Sequence, residues 1–299
     1  MNDKLKTVFS NPIVFVTAMG ARGLLNWMPD SLYLKILYRG FVGERLNLKN
    51  PRKYNEKLQW LKIHDRKPEY SMMVDKYTVR QYITEKLGEE YLIPCLGVWE
   101  DVEEIDFDKL PQQFVLKCTH DSGSVIICKN KDSLDIDQVK RHLKRACKRN
   151  YYDTYREWPY KNVKPRIIAE AYMVDLQEDD LKDYKVLCFD GKAKLIEVHQ
   201  NRFNNGEHTQ DFYDVEWNNL HLAQKCLKNA KADLAKPERL EDVLKLSEAI
   251  AANLKHVRID WYLIKDAIYF GEITFFDGAG FEPYPEKEEL MLGKLIHLE

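Results

Sequence analysis

The chain has 299 residues, enough for one large or two ordinary domains, and its 46 basic and 48 acidic residues leave a formal net charge of -2. So even a balance excludes a global nucleic-acid-binding or membrane-surface field, and any anion site must be local. Six cysteines without a CxxC pair, mostly within apolar stretches, are expected to be reduced core thiols, which points to the cytoplasm.

The most hydrophobic early stretch, PIVFVTAMGARGLLNWM, is broken by Gly20, Arg22 and Gly23. It is too short to span a bilayer and lacks the layout of a signal peptide. It is expected to belong to an N-terminal helical region, with an interfacial role at a membrane as the alternative. In YNEKLQWLKIH, Leu58 and Leu61 share a helical face. Val79, Tyr82, Ile83 and Leu87 keep helical spacing and Gly88 ends the run, which predicts a helix with Asp75 and Lys76 in its first turn. A hairpin at 114–130 precedes a predicted helix near 135–149, with Ile136, Val139, Leu143 and Cys147 on one face. The polar aromatic segment NYYDTYREWPYKNVKP leads into a strand, RIIAEAYM. Two further hairpins follow, YKVLCF-DG-KAKLIEV and VRIDWYLI-KDA-IYFGEITF, the first with an Asp190-Gly191 dipeptide suited to a type I′ turn. Between them Pro237 opens a helix carrying Leu240, Val243, Leu244, Ile250, Ala251 and Leu254. Hairpins interleaved with helices predict an α+β fold.

Two of these hairpins carry chemistry. In FVLKCTHDSGSVIICKN an apolar strand ends in Lys117, whose charge must reach water or an anion, and the next residues offer backbone N–H groups, hydroxyls and Gly123. That is either a phosphate cradle or an ordinary hairpin with a solvated lysine. In the last hairpin, alternation puts Arg258, Asp260 and Tyr262 on one face of the first strand and Glu272 and Thr274 on one face of the second. If Ile264 pairs with Ile268 around a Lys265-Asp266-Ala267 loop, Asp260 faces Glu272 and Arg258 faces Thr274. Opposed carboxylates repel, and a divalent cation with oxygen ligands, such as Mg²⁺, would explain their pairing. A register different by one would instead separate them onto opposite faces of a solvated strand.

With these pieces assembled, residues 45 to about 290 resemble the ATP-grasp superfamily, and within it the TupA-like family named for teichuronopeptide biosynthesis, through NPRKYNEKLQWLK, DKYTVRQYI, the Lys117 hairpin, RIIAEAYM, DYKVLCFDGK and VRIDWYL…YFGEITF. The resemblance implies an ATP-grasp fold with ATP clamped between two α+β subdomains at 71–172 and 173–299, preceded by a mainly helical region at 1–70. It implies Lys76 and Lys117 as phosphate contacts and His120, Ser122, Gly123 and Ser124 as the loop over the phosphates. Glu170, Ala171, Tyr172 and Met173 would be the linker to adenine, with Asp183 a further nucleotide contact. Asp260, Glu272 and Thr274 become Mg²⁺ ligands, and Arg258, Lys185 and Arg202 catalytic residues. Three positions depart from the pattern: Thr274 replaces a frequent asparagine, Asp121 a frequent loop glycine, and Lys185 an arginine whose planar fork it cannot reproduce.

The implied activity is a carboxylate–amine ligase working through an acyl phosphate in cell-surface polysaccharide assembly, with a carboxylate and an amine such as an amino acid as partners and no nucleic acid. The alternatives are a polysaccharide glycosyltransferase, against which stands the absence of a DxD run, and a nucleotide-binding module without catalysis. His199 and His208 could line an acceptor pocket or be hydrogen-bonded surface residues. Arg156, Trp158 and Tyr160 could form a sugar platform or a packed loop.

Overall fold

The computed structural model describes residues 12–173, 182–201, 208–222 and 227–298. Two antiparallel sheets carry the α+β architecture. The first contains β1 (Cys95–Trp99), β2 (Phe114–Cys118), β3 (Ile126–Cys128) and β4 (Ile167–Ala171) in the order β1-β4-β2-β3. The second contains β5 (Asp183–Phe189), β6 (Lys192–Gln200), β7 (Thr209–Tyr213), β8 (His256–Ile264) and β9 (Ala267–Thr274) in the order β7-β6-β5-β8-β9.

Each sheet buries one face under a helix, because strand alternation gives it one apolar side. On the first sheet, Phe114, Leu116, Ile167 and Ala169 meet Val139, Leu143 and Ala146 of α6 (Ile136–Cys147), leaving Lys117 and Glu170 on the opposite side. On the second, Val257, Ile259 and Trp261 turn toward α8 (Leu240–Ala251), where the Trp261 indole Nε1 donates to Ser247 Oγ at 2.8 Å. The other face of this second sheet carries the charged residues.

The N-terminal region is helical. Its described part holds α1 (Pro12–Gly20), α2 (Asp30–Phe41) and α3 (Tyr54–His64), and α4 (Glu69–Val74) and α5 (Thr78–Lys86) follow at the start of the next segment. Tyr33, Leu34, Leu37 and Tyr38 of α2 form a small core that also takes in Phe281 from far along the chain. Lys62 on α3 is fully buried, donating to Tyr155 O at 2.9 Å and Ala279 O at 2.7 Å with its ammonium 4.6 Å from the Phe281 ring centre. It therefore ties α3 to α7 (Tyr151–Tyr155) and to the turn after β9. Among the described residues no helix is long and apolar enough to cross a membrane.

Two local expectations are corrected. Asp75 and Lys76 do not sit in the first turn of a helix. Asp75 is extended at ψ 112, and its carboxylate accepts the Tyr77 N–H at 3.0 Å, so the chain turns between α4 and α5. A short acid bonding its own downstream backbone competes with helix continuation. At the tip of β8–β9, Ile264 pairs with Ala267, not with Ile268, around a two-residue Lys265-Asp266 turn in which Lys265 has φ 53. The Asp190-Gly191 turn is as expected, both residues having positive φ, 47 and 76.

The last helix, α9 (Glu286–Lys294), packs on the start of α3, where Glu289 accepts the Asn55 backbone N–H and side-chain amide at 3.1 and 2.5 Å. Gly293 permits the approach, since a Cβ there would stand 2.2 Å from Arg52 O. Gly293→Ala is expected to destabilise the chain by about 1–3 kcal/mol, read as a lower denaturant midpoint.

Candidate active site

The charged face of the second sheet is ordered by register. Glu197 pairs with Lys185, Lys185 with Asp260 and Asp260 with Glu272, so one row crosses β6, β5, β8 and β9 as acid, base, acid, acid. Arg258 stands opposite Thr274 in the neighbouring row. The pairing of Asp260 with Glu272 depends on a bulge. From the tip turn the partners run in one register, and between Asp260 and Trp261 the register shifts, with Gly271 as the extra residue on β9. A Cβ at Gly271 would lie 3.0 Å from Asp260 O, which accounts for glycine at this close approach.

Arg258 is the hub. Its Nε and Nη2 donate to the two carboxylate oxygens of Asp260 at 2.7 and 2.9 Å, and Nη1 donates to Asp277. Nη2 also reaches Glu272 Oε1 at 3.2 Å and Thr274 Oγ1 at 3.3 Å. Lys185 Nζ bridges Asp260 and Asp183, the latter at 2.6 Å. Burial and the nearby guanidinium disfavour the charge of Lys185, but Asp183, Asp260 and Glu197 outweigh them and hold its pKa above the ordinary lysine value. Desolvation and Asp260 work against ionised Glu272, yet Lys76, Arg258 and Lys185 win and hold it below the usual carboxylate range. Four carboxylates (Asp183, Asp260, Glu272 and Asp277) thus contact two cations, Lys185 and Arg258. The surplus of negative charge and the hard oxygen donors of Asp260, Glu272 and Thr274 fit a divalent ion such as Mg²⁺, which takes one or two carboxylates and leaves room for phosphate oxygens.

The first sheet supplies lysines. Lys117 Nζ lies 2.6 Å from Glu170 Oε2, diagonally across β2 and β4, and Arg80 approaches the other oxygen of Glu170 at 3.5 Å. Lys76 Nζ donates to Asp121 O at 2.5 Å, tying the α4–α5 link to the loop after β2. That loop is braced from inside: Ser124 Oγ accepts the Cys118 N–H at 2.9 Å and donates to Asp121 Oδ1 at 2.5 Å. Asp121 therefore spends its charge within the loop. His120 is buried with Nε2 against Ala146 O and Arg149 O, at the end of α6, while Ser122 and Gly123, at φ 109, stay exposed at the tip. Ala171 ends β4, with Tyr172 and Met173 half-buried just beyond. Arg202 lies outside the described residues.

Beside Arg258, Glu272, Thr274 and Ser122 opens a cavity of about 480 Å³. Its walls are aromatic, from Phe41, Tyr151, Tyr155, Tyr160, Phe276 and Phe281, and it holds two acids, Glu157 and Glu282, that the sequence did not single out. Glu157 is only 4% exposed, and its carboxylate makes no hydrogen bond or ion pair among the described residues. Burial pushes its pKa up to about 7, with Lys62 and Arg258 pulling the other way. The same cause lifts Glu282 to about 8. The only signal for Glu157 in the sequence was a carboxylate enclosed by aromatic residues and a proline in REWPY. Arg156 is structural: its guanidinium donates to Leu25 O and Asp153 O and stacks 4.3 Å from the Tyr33 ring centre. His199 sits outside the cavity lining, held by Glu197 at 2.5 Å and His208 at 2.9 Å.

A lysine-bearing sheet with a short polar loop, facing a sheet whose final hairpin joins two acids and an arginine, is an ATP-grasp architecture. More narrowly, the chain belongs to the TupA-like ATP-grasp family, whose model matches residues 56–297. Among curated protein sequences none matches. Similar solved structures include the ATP complex of D-alanine–D-alanine ligase from Bacillus anthracis (17% identity, TM-score 0.41, covering 68% of this chain and 55% of that one). Another is the ATP-grasp ligase PsnB with a phosphomimetic variant of its minimal precursor, Mg and ADP (10% identity, TM-score 0.43, 81% and 65%). A third is the D-cycloserine synthetase DcsG (15% identity, TM-score 0.41, 76% and 70%). The chain spans 55%, 66% and 62% of the lengths of three D-alanine–D-alanine ligase structures it resembles.

Glu157 should leave a mark on stability. With a native pKa near 7 against an unfolded value near 4.5, the folded chain keeps a proton that the unfolded chain has lost, so stability falls as pH rises through that window. Glu157→Gln is expected to remove this decline and to be more stable than the wild type at pH 7.5 by up to roughly 3 kcal/mol, measured by urea unfolding at a series of pH values.

Proposed function

We propose that the protein is an ATP-dependent carboxylate–amine ligase that forms an amide through an acyl phosphate, acting in the assembly of a cell-surface polysaccharide. The observation that carries this reading is the row Glu197–Lys185–Asp260–Glu272 beside Arg258, an acid-rich strip with too few cations for its carboxylates. Such a strip suits a metal–triphosphate and gives no side chain of its own as a nucleophile.

Asp260, Glu272 and Thr274 would hold Mg²⁺, which when bound supplies charge neutralisation for the phosphate oxygens. Lys117 and Lys76, now paired with Glu170 and the Asp121 carbonyl, would turn to the phosphates, with the exposed Ser122-Gly123 tip covering them. Glu170 to Met173 would bound the adenine, with Asp183 as a further nucleotide contact. Arg258, fixed by Asp260 and Asp277, and Lys185 would stabilise the group in flight. A carboxylate oxygen of the acid substrate bonds to the γ phosphorus as the bond to ADP breaks. The amine nitrogen then bonds to the acyl carbon, phosphate leaves, and the amine gives up a proton. The rate would come from positioning and charge, since both reacting groups belong to substrates.

ADP formation should require a carboxylate and rise with an added amine, in a screen of uronic-acid nucleotides and amino acids. UDP release from a nucleotide sugar without ATP turnover would sink the ligase reading. Glu272→Gln is expected to abolish turnover while ATP still binds. Lys117→Met should weaken ATP binding by about 1.5–3 kcal/mol, a loss of roughly tenfold or more by titration calorimetry, and an unchanged dissociation constant would remove Lys117 from the phosphate site.

A further inference from the structure

The aromatic cavity beside the charged strip has its own chemistry. Among the described residues the guanidinium in its lining is Arg258, already engaged by Asp260, Asp277, Glu272 and Thr274. The carboxylates of Glu157 and Glu282, by contrast, line the same space with no hydrogen bond or ion pair among the described residues; the contacts these two residues make run to their backbone carbonyls, from Tyr160 N–H and the Asn55 amide. Glu157 in particular is a carboxylate more than nine-tenths buried against aromatic rings, a state that costs free energy unless a cation arrives. Lys62, the nearest buried ammonium on α3, is turned to the carbonyls of Tyr155 and Ala279 and makes no ion pair with it. Aromatic faces attract ammonium groups, and a desolvated acid supplies the counter-charge. Phe41 adds a wall from the N-terminal helices, so this region helps to shape the site.

The geometry points to this cavity as the seat of the amine co-substrate, taken up as an ammonium ion between aromatic walls and anchored by Glu157, with Glu282 as a second acid. The assignment rests on the ligase reading and adds the residues that select the amine. It makes Glu157 a binding residue: the cavity favours a primary amine on an apolar or aromatic-compatible carrier and rejects a second carboxylate next to Glu157.

The test uses the full chain and two simple probes, n-butylammonium chloride and sodium butyrate at matched ionic strength, titrated by NMR with MgADP binding measured in parallel. The expected result is saturable n-butylammonium binding to the wild type, at least tenfold weaker in Glu157→Gln and several-fold weaker in Phe41→Ala, with MgADP affinity unchanged in both. Unaltered n-butylammonium affinity in Glu157→Gln, or saturable binding of butyrate in its place, would overturn the assignment while leaving the ligase reading intact. If MgADP failed to bind the wild type, the ligase reading would fall, and ammonium binding that still depended on Glu157 would keep the cavity as an ammonium site serving another reaction. Because the Glu157 carboxylate has no hydrogen-bond or ion-pair partner among the described residues, its amide variant is expected to fold, and Phe41→Ala, at a residue 37% exposed, provides an independent second probe.

Discussion

Everything at the charged strip depends on the opposition of Asp260 and Glu272 across β8 and β9. Two acids held at cross-strand distance are unfavourable alone, and here Arg258 and Lys185 offset part of the repulsion. What remains is an electrostatic deficit built into a rigid sheet, its back face covered by α8 and the Trp261–Ser247 contact. A site made this way is preorganised: the strands fix the acids before any ligand arrives, so little reorganisation is needed when charge is brought in.

The two sheets divide the work. The five-stranded sheet fixes acids by register, whereas the four-stranded sheet presents Lys117 and a loop with inner bonds from Ser124 to Cys118 and Asp121 and an exposed Ser122-Gly123 tip. Lys62 of the helical N-terminal region ties α7 to the turn after β9, and these two elements enclose one cavity together with Phe41 of α2. A fully buried lysine that bonds only carbonyls is a costly strut, and its pKa is accordingly pushed down by burial to about 7. It holds the walls beside Glu157 in place.

Several parts were legible in advance because they rest on local rules. Side-chain period put Arg258 with Asp260 and Glu272 with Thr274; helix spacing gave α6 and α8; Asp190-Gly191 gave its turn. The pattern pairs Asp260 with Glu272 through a three-residue tip, whereas the strands turn in two residues, Ile264 pairing with Ala267. The actual two-residue turn would shift the acids out of opposition, and the bulge at Gly271 restores them. A bulge answers to close backbone approach from the neighbouring strand, which one strand's pattern does not encode. Likewise the bond from Ser124 that engages Asp121, the residue standing where the family pattern often has glycine, is fixed only by the folded loop.

By itself, the sequence determined the α+β class, the family through its motifs, and the chemistry carried by each strand, because alternation and turn preference act over a few residues. Only the tertiary structure decided which charges meet, Lys185 against Asp260 and Arg258 against Asp277, and that Glu157 is buried among aromatic rings. These are contacts between segments tens of residues apart, and an ionisable group's state is set by burial and neighbours in space, quantities a linear order of residues does not contain.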